Sequence, residues 1–516
     1  VEDAIAGVAA GRAGGFGSVI GVDRHGQAQA LHDAGADAVV GDLAQVHVSV
    51  EPPDTWTLPY EGYDPGREGI RESLCALGNG YSTTRGALPW ASADGIHYPG
   101  TYLAGGYNRM RTDIAGRAVE NEDLVNLPNW LALELRFADE AWFDLRTVKI
   151  IAYRQELDLR RGMLIRRVQL DDAKGRRTTL AERRLVSMAD MHLAALELSL
   201  TAQNWSGPAT IRCAIDGRVV NAGARLYKRF NNRHLVPLTA EQVDDDSVYL
   251  LVRTTQSNLH VGVAARTQAF MAGKTIVAPR KRVEEPGYIG QELELTLKQG
   301  ETLTLEKVSC LYTSRDRALS EPGVAACKAM ARAGRFEVLA AAHASAWRQL
   351  WRRFDLHMQP AGARFELNVP MLARLNMFHL LQATSLNSID LDIGVPARGW
   401  TGEHYQGHIF WDELFIFPFL NFRTPEITRS LLMYRYRRLD EARAAARAAG
   451  FRGAMFPWQS GSDGQEETQE LNLNHRSQRW VPDNSYLQRH VGAAIAYNVW
   501  QYYQVSNDLE FLHFHG

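Results

Sequence analysis

Cysteine is scarce in this chain: four in 516 residues, at Cys75, Cys213, Cys310 and Cys327, far apart and without CxxC or other metal-like spacing. That spacing offers neither a disulfide framework nor a zinc site, so free, half-buried thiols in a reducing compartment are the expectation. No run of about eighteen apolar residues occurs, so no membrane-spanning helix is expected. No signal peptide opens the chain, which starts at Val1 rather than a methionine. The expected compartment is the cytoplasm. A dominant charge is also missing, since 57 Lys and Arg stand against 59 Asp and Glu for a formal net charge of -2. Without a basic field to neutralise phosphates, nucleic acid is not an expected partner. The densest basic stretch, Arg437-Arg438 through Arg447, interleaves arginine with Ala, Asp and Glu, as a solvated helix face does.

What is present is a long chain of ordinary globular composition, 45% hydrophobic and 22% charged, too long for one core, so several domains are expected. Residues 1–45 read as α/β. An Ala-rich helix over Ala4 to Ala13 is broken by Gly14-Gly15-Phe16-Gly17; a strand over Ser18 to Val22, a helical turn at Leu31 to Ala34 and a second strand at Ala38-Val39-Val40 follow. Residues 46–313 carry short alternating runs, such as Leu131-Leu133-Leu135, Leu196-Leu198-Leu200, Val248-Leu250-Val252 and Leu293-Leu295-Leu297. Separated by turn residues, among them Asn79-Gly80, they predict a large antiparallel β-sandwich. From Ser314 the pattern is helical: a linker over 314–360 with helices at Val324 to Ala333 and Phe336 to Arg353, then 361–516 with helices at Pro370 to Asn387, Trp411 to Leu420, Pro425 to Ala449 and Asn484 to Gln504.

Two loops of the helical part carry the chemistry. The first, Arg398-Gly399-Trp400-Thr401-Gly402-Glu403-His404-Tyr405-Gln406-Gly407-His408-Ile409-Phe410-Trp411-Asp412-Glu413, sets an indole beside carboxylates. An indole covers the apolar C–H face of a pyranose, and a carboxylate accepts hydrogen bonds from adjacent hydroxyls. The second, Met455-Phe456-Pro457-Trp458-Gln459-Ser460-Gly461 through Glu466-Glu467, repeats the combination. Such loops also serve as plain helix connectors, and Asp412 also suits a helix N-terminus; both readings stand at this level. His404 and His408, four apart, have metal-ligand spacing only on a helix, which the flanking glycines oppose. Hydrogen bonding to sugar or backbone is the alternative.

Taken in order, LGNGYSTTRG, PGTYLAGGYN, ENEDLVNLPNW, ARGWTGEHYQGHIFWDELFIFPF and MFPWQSGSDGQEET resemble glycoside hydrolase family 65 from about residue 50 to the end. The resemblance implies an N-terminal β-sandwich, a helical linker and an (α/α)6 toroid, of which only part would be present. It implies an inverting phosphorylase of an α-glucosidic disaccharide (trehalose, maltose or kojibiose). Inorganic phosphate is the co-substrate, and β-glucose 1-phosphate and glucose the products. By the same resemblance Trp411 and Asp412 grip the non-reducing glucose. Glu413 stands where the family often has Thr, and Gln459 follows Trp458 where Glu is common. Trp411, Asp412, Glu413 and Trp458 are thus the expected substrate-binding residues.

The family's general acid lies in a Gly-Pro-Asp-Glu-Tyr-like segment that has no counterpart here, so it is expected beyond Gly516 and the chain by itself is expected to be inactive. Alternatives are a trehalase-like hydrolase and a non-catalytic sugar-binding remnant. A homodimer is compatible with the sequence, which leaves oligomeric state open. Residues 1–45 resemble the end of a haloacid dehalogenase-like β-phosphoglucomutase, with Glu2-Asp3 as the remnant of a Mg²⁺ motif. Magnesium belongs to that part only and is not expected to bind here. Both ends are thus read as cut.

Overall fold

The computed structural model describes residues 1–16, 18–45, 54–138, 140–224, 230–358, 368–474, 476–477 and 479–516. Gly17, the expected start of the sandwich at 46 and the expected boundary at 360/361 lie outside these residues. The chain divides into two compact units, Val1–Asp54 and Thr55–Gly516.

The first unit has the expected α/β order: helix Ile5–Ala13, strand Ile20–Val22, helix Ala28–Asp33 and strand Ala38–Val40. The two strands pair in parallel, with Ile20 opposite Ala38. Parallel strands require a crossover, which the second helix supplies. Glu2 bridges to Gly21 at the other side of the first strand. Val8, Val19, Leu31 and Ala36 make the small core.

In the second unit a ten-stranded antiparallel sheet runs from Leu235–Gln242 at one end, through Thr302–Thr313, Leu193–Ala202 and Met163–Asp171, to Thr57–Glu61. Four further strands form a facing sheet in the order Arg280–Glu285, Tyr288–Leu297, Gly207–Asp216, Leu133–Phe137. The predicted alternation is real: Leu196, Leu198 and Leu200 are buried while Glu197, Ser199 and Thr201 are half-exposed, as a pleat with one face on a core dictates. Leu133, Leu135, Ile211 and Leu293 of the small sheet join them in that core. Lys307 crosses it, donating from Nζ to Ala132 O (3.0 Å) and Ala214 O (2.6 Å), and burial lowers its pKa to about 8.

Helices cover the opposite face of the large sheet. Pro322 opens the helix Pro322–Arg332, whose N-terminal amides at Gly323 and Val324 donate to the Glu321 carboxylate. Met330 of this helix and Phe336, Leu339 and Ala340 of the next pack on Met163, Leu185 and Cys310. That next helix, Phe336–Phe354, aims His343, Trp347 and Trp351 along one face at the turn over residues 159–162. His343 Nδ1 accepts from Met188 N (2.9 Å), so Nε2 carries the proton that it gives Gly162 O at 3.0 Å. Burial holds this histidine neutral, with a pKa lowered to about 4. Trp351 Nε1 donates to Leu159 O at 2.8 Å. Trp347 stacks on Phe378 with centroids 4.6 Å apart, joining the sheet to the helix Val369–Ala383 in a second core that includes Trp400, Phe417 and Tyr434.

The helical part beyond this point departs from the sequence expectation at two places. The helix expected over Pro425 to Ala449 breaks at Arg438 into Pro425–Arg437 and Leu439–Ala448, and the one expected from Asn484 is a short 3-10 turn, Asn484–Leu487, before His490–Ser506. At the first break Arg438 leaves the helical line, its guanidinium taken by Asp392 at 3.1 Å and the Tyr434 carbonyl at 2.9 Å. Three of the four cysteines are buried and Cys327 is half-buried.

Gly162 has φ +65°, and a Cβ there would lie 2.1 Å from Trp347 Nε1. Gly162→Ala is therefore expected to destabilise the second unit by about 2–4 kcal/mol, from a left-handed residue and an overpacked contact. A urea unfolding midpoint unchanged from the parent would contradict this.

Candidate functional site

The first loop is pinned by buried polar groups before it reaches the cavity. Trp400 is buried and donates from Nε1 to Ala383 O (3.3 Å). Glu403 is buried too and accepts from Tyr98 OH, from Tyr102 OH at 3.1 Å and from Gly223 N at 2.8 Å. Burial raises its pKa against those donors. Tyr405, Gln406 and Gly407 then take left-handed backbone conformations, φ 55°, 54° and 71°. Only glycine fits the last of them, because a Cβ would come 2.7 Å from Leu124 Cβ. This run re-aims the chain so that Gln406 donates to Asp123 at 2.9 Å.

The second loop lies against the first through two backbone hydrogen bonds between Ile409 and Ser460 (2.9 and 3.0 Å). The pairing brings Trp411 and Trp458 to a centroid distance of 6.4 Å, with the His490 ring 4.8 Å from Trp411 and 5.2 Å from Trp458. Trp411, Asp412 and Trp458 line a cavity of about 560 Å³, together with Gln459, Glu467 and Asp483. That volume falls within the range of small-molecule sites. Among the described residues the Asp412 carboxylate meets no hydrogen-bond or ion-pair partner, leaving its oxygens to a ligand. Glu466 serves the loop itself, accepting from the backbone N–H groups of Trp458 (2.6 Å), Gln459 (3.2 Å) and Thr468 (3.0 Å).

Glu413 is placed differently from its neighbour. It is 1% exposed and turned into the protein, ion-paired with Arg435 at 3.0 Å and accepting from Val395 N at 3.2 Å. It does not line the cavity. Its position follows from helix geometry: the helix Glu413–Asn421 starts here, and one residue on from Asp412 turns the side chain by about 100° toward the core. Burial raises its pKa, opposed by Arg435.

His408 is buried between Glu122 O (2.9 Å from Nε2) and the Gln459 amide (3.1 Å from Nδ1). Burial lowers its pKa. The atom facing Nδ1 is Gln459 Oε1, so a neutral ring that donates to the Glu122 carbonyl requires this amide turned about, with its nitrogen toward the ring. An acid at 459 would instead draw a proton onto His408. His404 is exposed and lies on the wall of a neighbouring cavity, so the two histidines do not converge.

In the first unit, Asp3 pairs with Arg24 at 3.3 Å, and the Glu2 carboxylate fills the space that a Cβ on Gly7 would need. Two carboxylates, one already paired with a cation, fall short of the oxygen shell that Mg²⁺ requires. Among the described residues no group of three or more His, Cys, Asp and Glu is placed to hold a metal.

One participant escaped the sequence reading: Arg109, on the separate two-stranded hairpin Tyr107–Ile114/Arg117–Leu124. Its guanidinium meets Glu467 (3.2 Å from Nη1) and Asp463 (3.3 Å) across more than 350 residues of sequence. The signal was the acidic run ENED, which antiparallel pairing sets against the strand that carries Arg109, with Glu122 directly opposite.

Removing Arg435 would strand Glu413 in the core. Arg435→Met is expected to cost about 3–5 kcal/mol, and pairing it with Glu413→Gln to recover part of that loss. Equal thermal midpoints for Arg435→Met and the parent would show that the pair contributes nothing.

The sequence of this chain matches two family models: the glycosyl hydrolase family 65 N-terminal domain over residues 58–350 and the family's central catalytic domain over residues 374–516. An uncharacterized glycosyl hydrolase of Mycobacterium tuberculosis (strain H37Rv) is 46% identical over 465 residues, 90% of this chain and 34% of that protein. The kojibiose phosphorylase of Halothermothrix orenii is 32% identical across 86% of this chain and 55% of its own length. For the trehalose 6-phosphate phosphorylase of Lactococcus lactis the figures are 32%, 88% and 56%. A solved structure from the human microbiome, provisionally named a kojibiose phosphorylase, superposes with a TM-score of 0.75 at 20% identity over 90% of this chain and 58% of its own. The chain thus spans from a third to a little over half of the length of these proteins. A β-sheet-rich domain followed by a helical part is the shared fold, and on these matches the chain belongs to glycosyl hydrolase family 65.

Proposed function

We propose that the protein carrying this chain is a phosphorylase that cleaves an α-glucosidic disaccharide with inorganic phosphate. The products are β-glucose 1-phosphate and glucose, and Trp411, Asp412 and Trp458 hold the glucose whose anomeric carbon reacts. The observation that carries the reading is the cavity wall itself: two indoles at 6.4 Å beside a carboxylate that meets no partner among the described residues. Indole faces cover the C–H face of a pyranose, and the Asp412 oxygens accept from two neighbouring hydroxyls. Relatives named for phosphorolysis of kojibiose and of trehalose 6-phosphate support the reaction class.

In inverting phosphorolysis, phosphate attacks the anomeric carbon from the face opposite the bond that breaks, while a carboxylic acid protonates the departing oxygen. We assign that acid to none of the residues of this wall. The wall's contribution is to fix the ring and strip it of water. Glu413, spent on Arg435, is left out of the sugar contacts. The first unit is read as the end of a β-phosphoglucomutase-like domain, which would consume the released sugar phosphate. A hydrolase is the second reading. It draws on Glu467, a carboxyl on the same wall with a pKa pushed up to about 7, chiefly by burial.

The test is release of β-glucose 1-phosphate from kojibiose, trehalose and maltose by the complete protein, with and without phosphate. Strict phosphate dependence is expected; glucose release at the same rate without phosphate would establish the hydrolase. In this chain, Trp411→Ala and Asp412→Asn are each expected to weaken sugar binding about 10- to 100-fold, the loss of one charge-assisted or stacking contact set. Binding followed by tryptophan fluorescence and left unchanged in both variants would remove the glucose assignment.

A further inference from the structure

We propose that Arg109 is a positioning residue for the sugar: reaching from its two-stranded hairpin, it holds the Glu467 carboxylate on the cavity wall as an acceptor for substrate hydroxyls. The inference rests on the sugar-site reading above and extends it to a group supplied by the other half of the unit.

Glu467 is 4% exposed, yet lies on the same wall as Trp411 and Asp412. Its carboxylate is gripped by both terminal nitrogens of Arg109, Nη1 to Oε2 and Nη2 to Oε1. A two-point grip fixes the plane of the carboxylate, which a single contact does not. The same hairpin fixes the start of the segment: Glu122, cross-strand from Arg109, accepts from Ser462 N at 2.7 Å and from Ser462 Oγ. Even the backbone is held, since Glu467 N donates to Gln459 O at 3.1 Å. A purely structural ion pair has no need of a ligand-sized cavity beside it. This one borders the space between the two indoles and Asp412.

The charges that face Glu467 explain why its state is finely balanced. Among the described residues Arg109 is the cation paired with Glu467, and it is shared with Glu120 (3.5 Å), Glu122 (3.7 Å) and Asp463 (3.3 Å). Burial and the negative neighbours push the Glu467 pKa up to about 7 against the pull of Arg109. Ionised, Glu467 accepts from hydroxyls with the lone pairs that Arg109 leaves free; protonated, it gives up part of its hold on Arg109 and offers a donor instead. Sugar affinity should follow that change.

The experiment is a tryptophan-fluorescence titration of the full chain with glucose and with kojibiose between about pH 5.5 and 8.5. Affinity is expected to rise through about pH 7, with the pH dependence lost in Glu467→Gln. Arg109→Met should weaken binding about tenfold at neutral pH and move the midpoint upward, since the cation that favours the ionised form is gone. Arg109→Lys, which keeps the charge without the fork, should restore the midpoint more than the affinity, and it decides the matter if Arg109→Met does not fold. A second readout needs no sugar. With a folded-state pKa above that of the unfolded chain, Glu467 makes stability fall as pH rises from about 4.5 to about 7, and Glu467→Gln should flatten that slope. A parent that binds sugar with the same pH profile as Glu467→Gln, or an Arg109→Met variant with parental affinity and midpoint, overturns the inference alone. A parent whose fluorescence responds to neither sugar at any pH overturns the sugar-site reading and this inference with it.

Discussion

A carboxylate removed from water must be met by donors, and the region around the cavity is organised by five that are: Glu122, Asp123, Glu403, Glu413 and Glu467 are all buried. Each is satisfied by a segment distant in sequence. Glu122 takes the backbone and hydroxyl of Ser462, Asp123 the Gln406 amide, Glu403 two tyrosines and the Gly223 amide, Glu413 the Arg435 guanidinium, and Glu467 Arg109. An ion stranded at any of these places would cost several kcal/mol. The same requirement that makes them expensive therefore makes the loop positions specific. Hydrophobic packing brings the sandwich and the helices together; these pairings decide the register in which the loops meet.

The scaffold was readable from the sequence wherever periodicity is strong. Leu196, Leu198 and Leu200 announced their strand because one face of that sheet rests on the core. The first unit's order was readable because glycine breaks separate its short elements. Helix ends were less legible. Nothing local marks the break at Arg438, where the guanidinium meets the Asp392 carboxylate and the Tyr434 carbonyl, the former a tertiary partner.

At the site, indoles beside carboxylates drew attention to two loops and the family resemblance named Trp411, Asp412, Glu413 and Trp458, but neither told Asp412 from Glu413. Those two are adjacent acids with opposite fates, one facing the cavity and one buried on Arg435. The difference is a rotation of one helical residue, visible only once the helix start is known. Arg109 was hidden for another reason. Its role depends on a cross-strand partner and on a loop more than 350 residues away, and no window of sequence contains both.

The burial of the cysteines has a consequence for handling the molecule. Cys75, Cys213 and Cys310 sit inside packed sheets and helices, and only Cys327 is half-open to solvent. Burial also pushes the Cys75 and Cys327 thiols up to about 11, so little nucleophilic thiolate exists at neutral pH. A thiol reagent meets almost nothing reactive while the chain is folded and four ordinary thiols once it opens. The protein thus carries a built-in clock for its own unfolding, one that ticks without any engineered label.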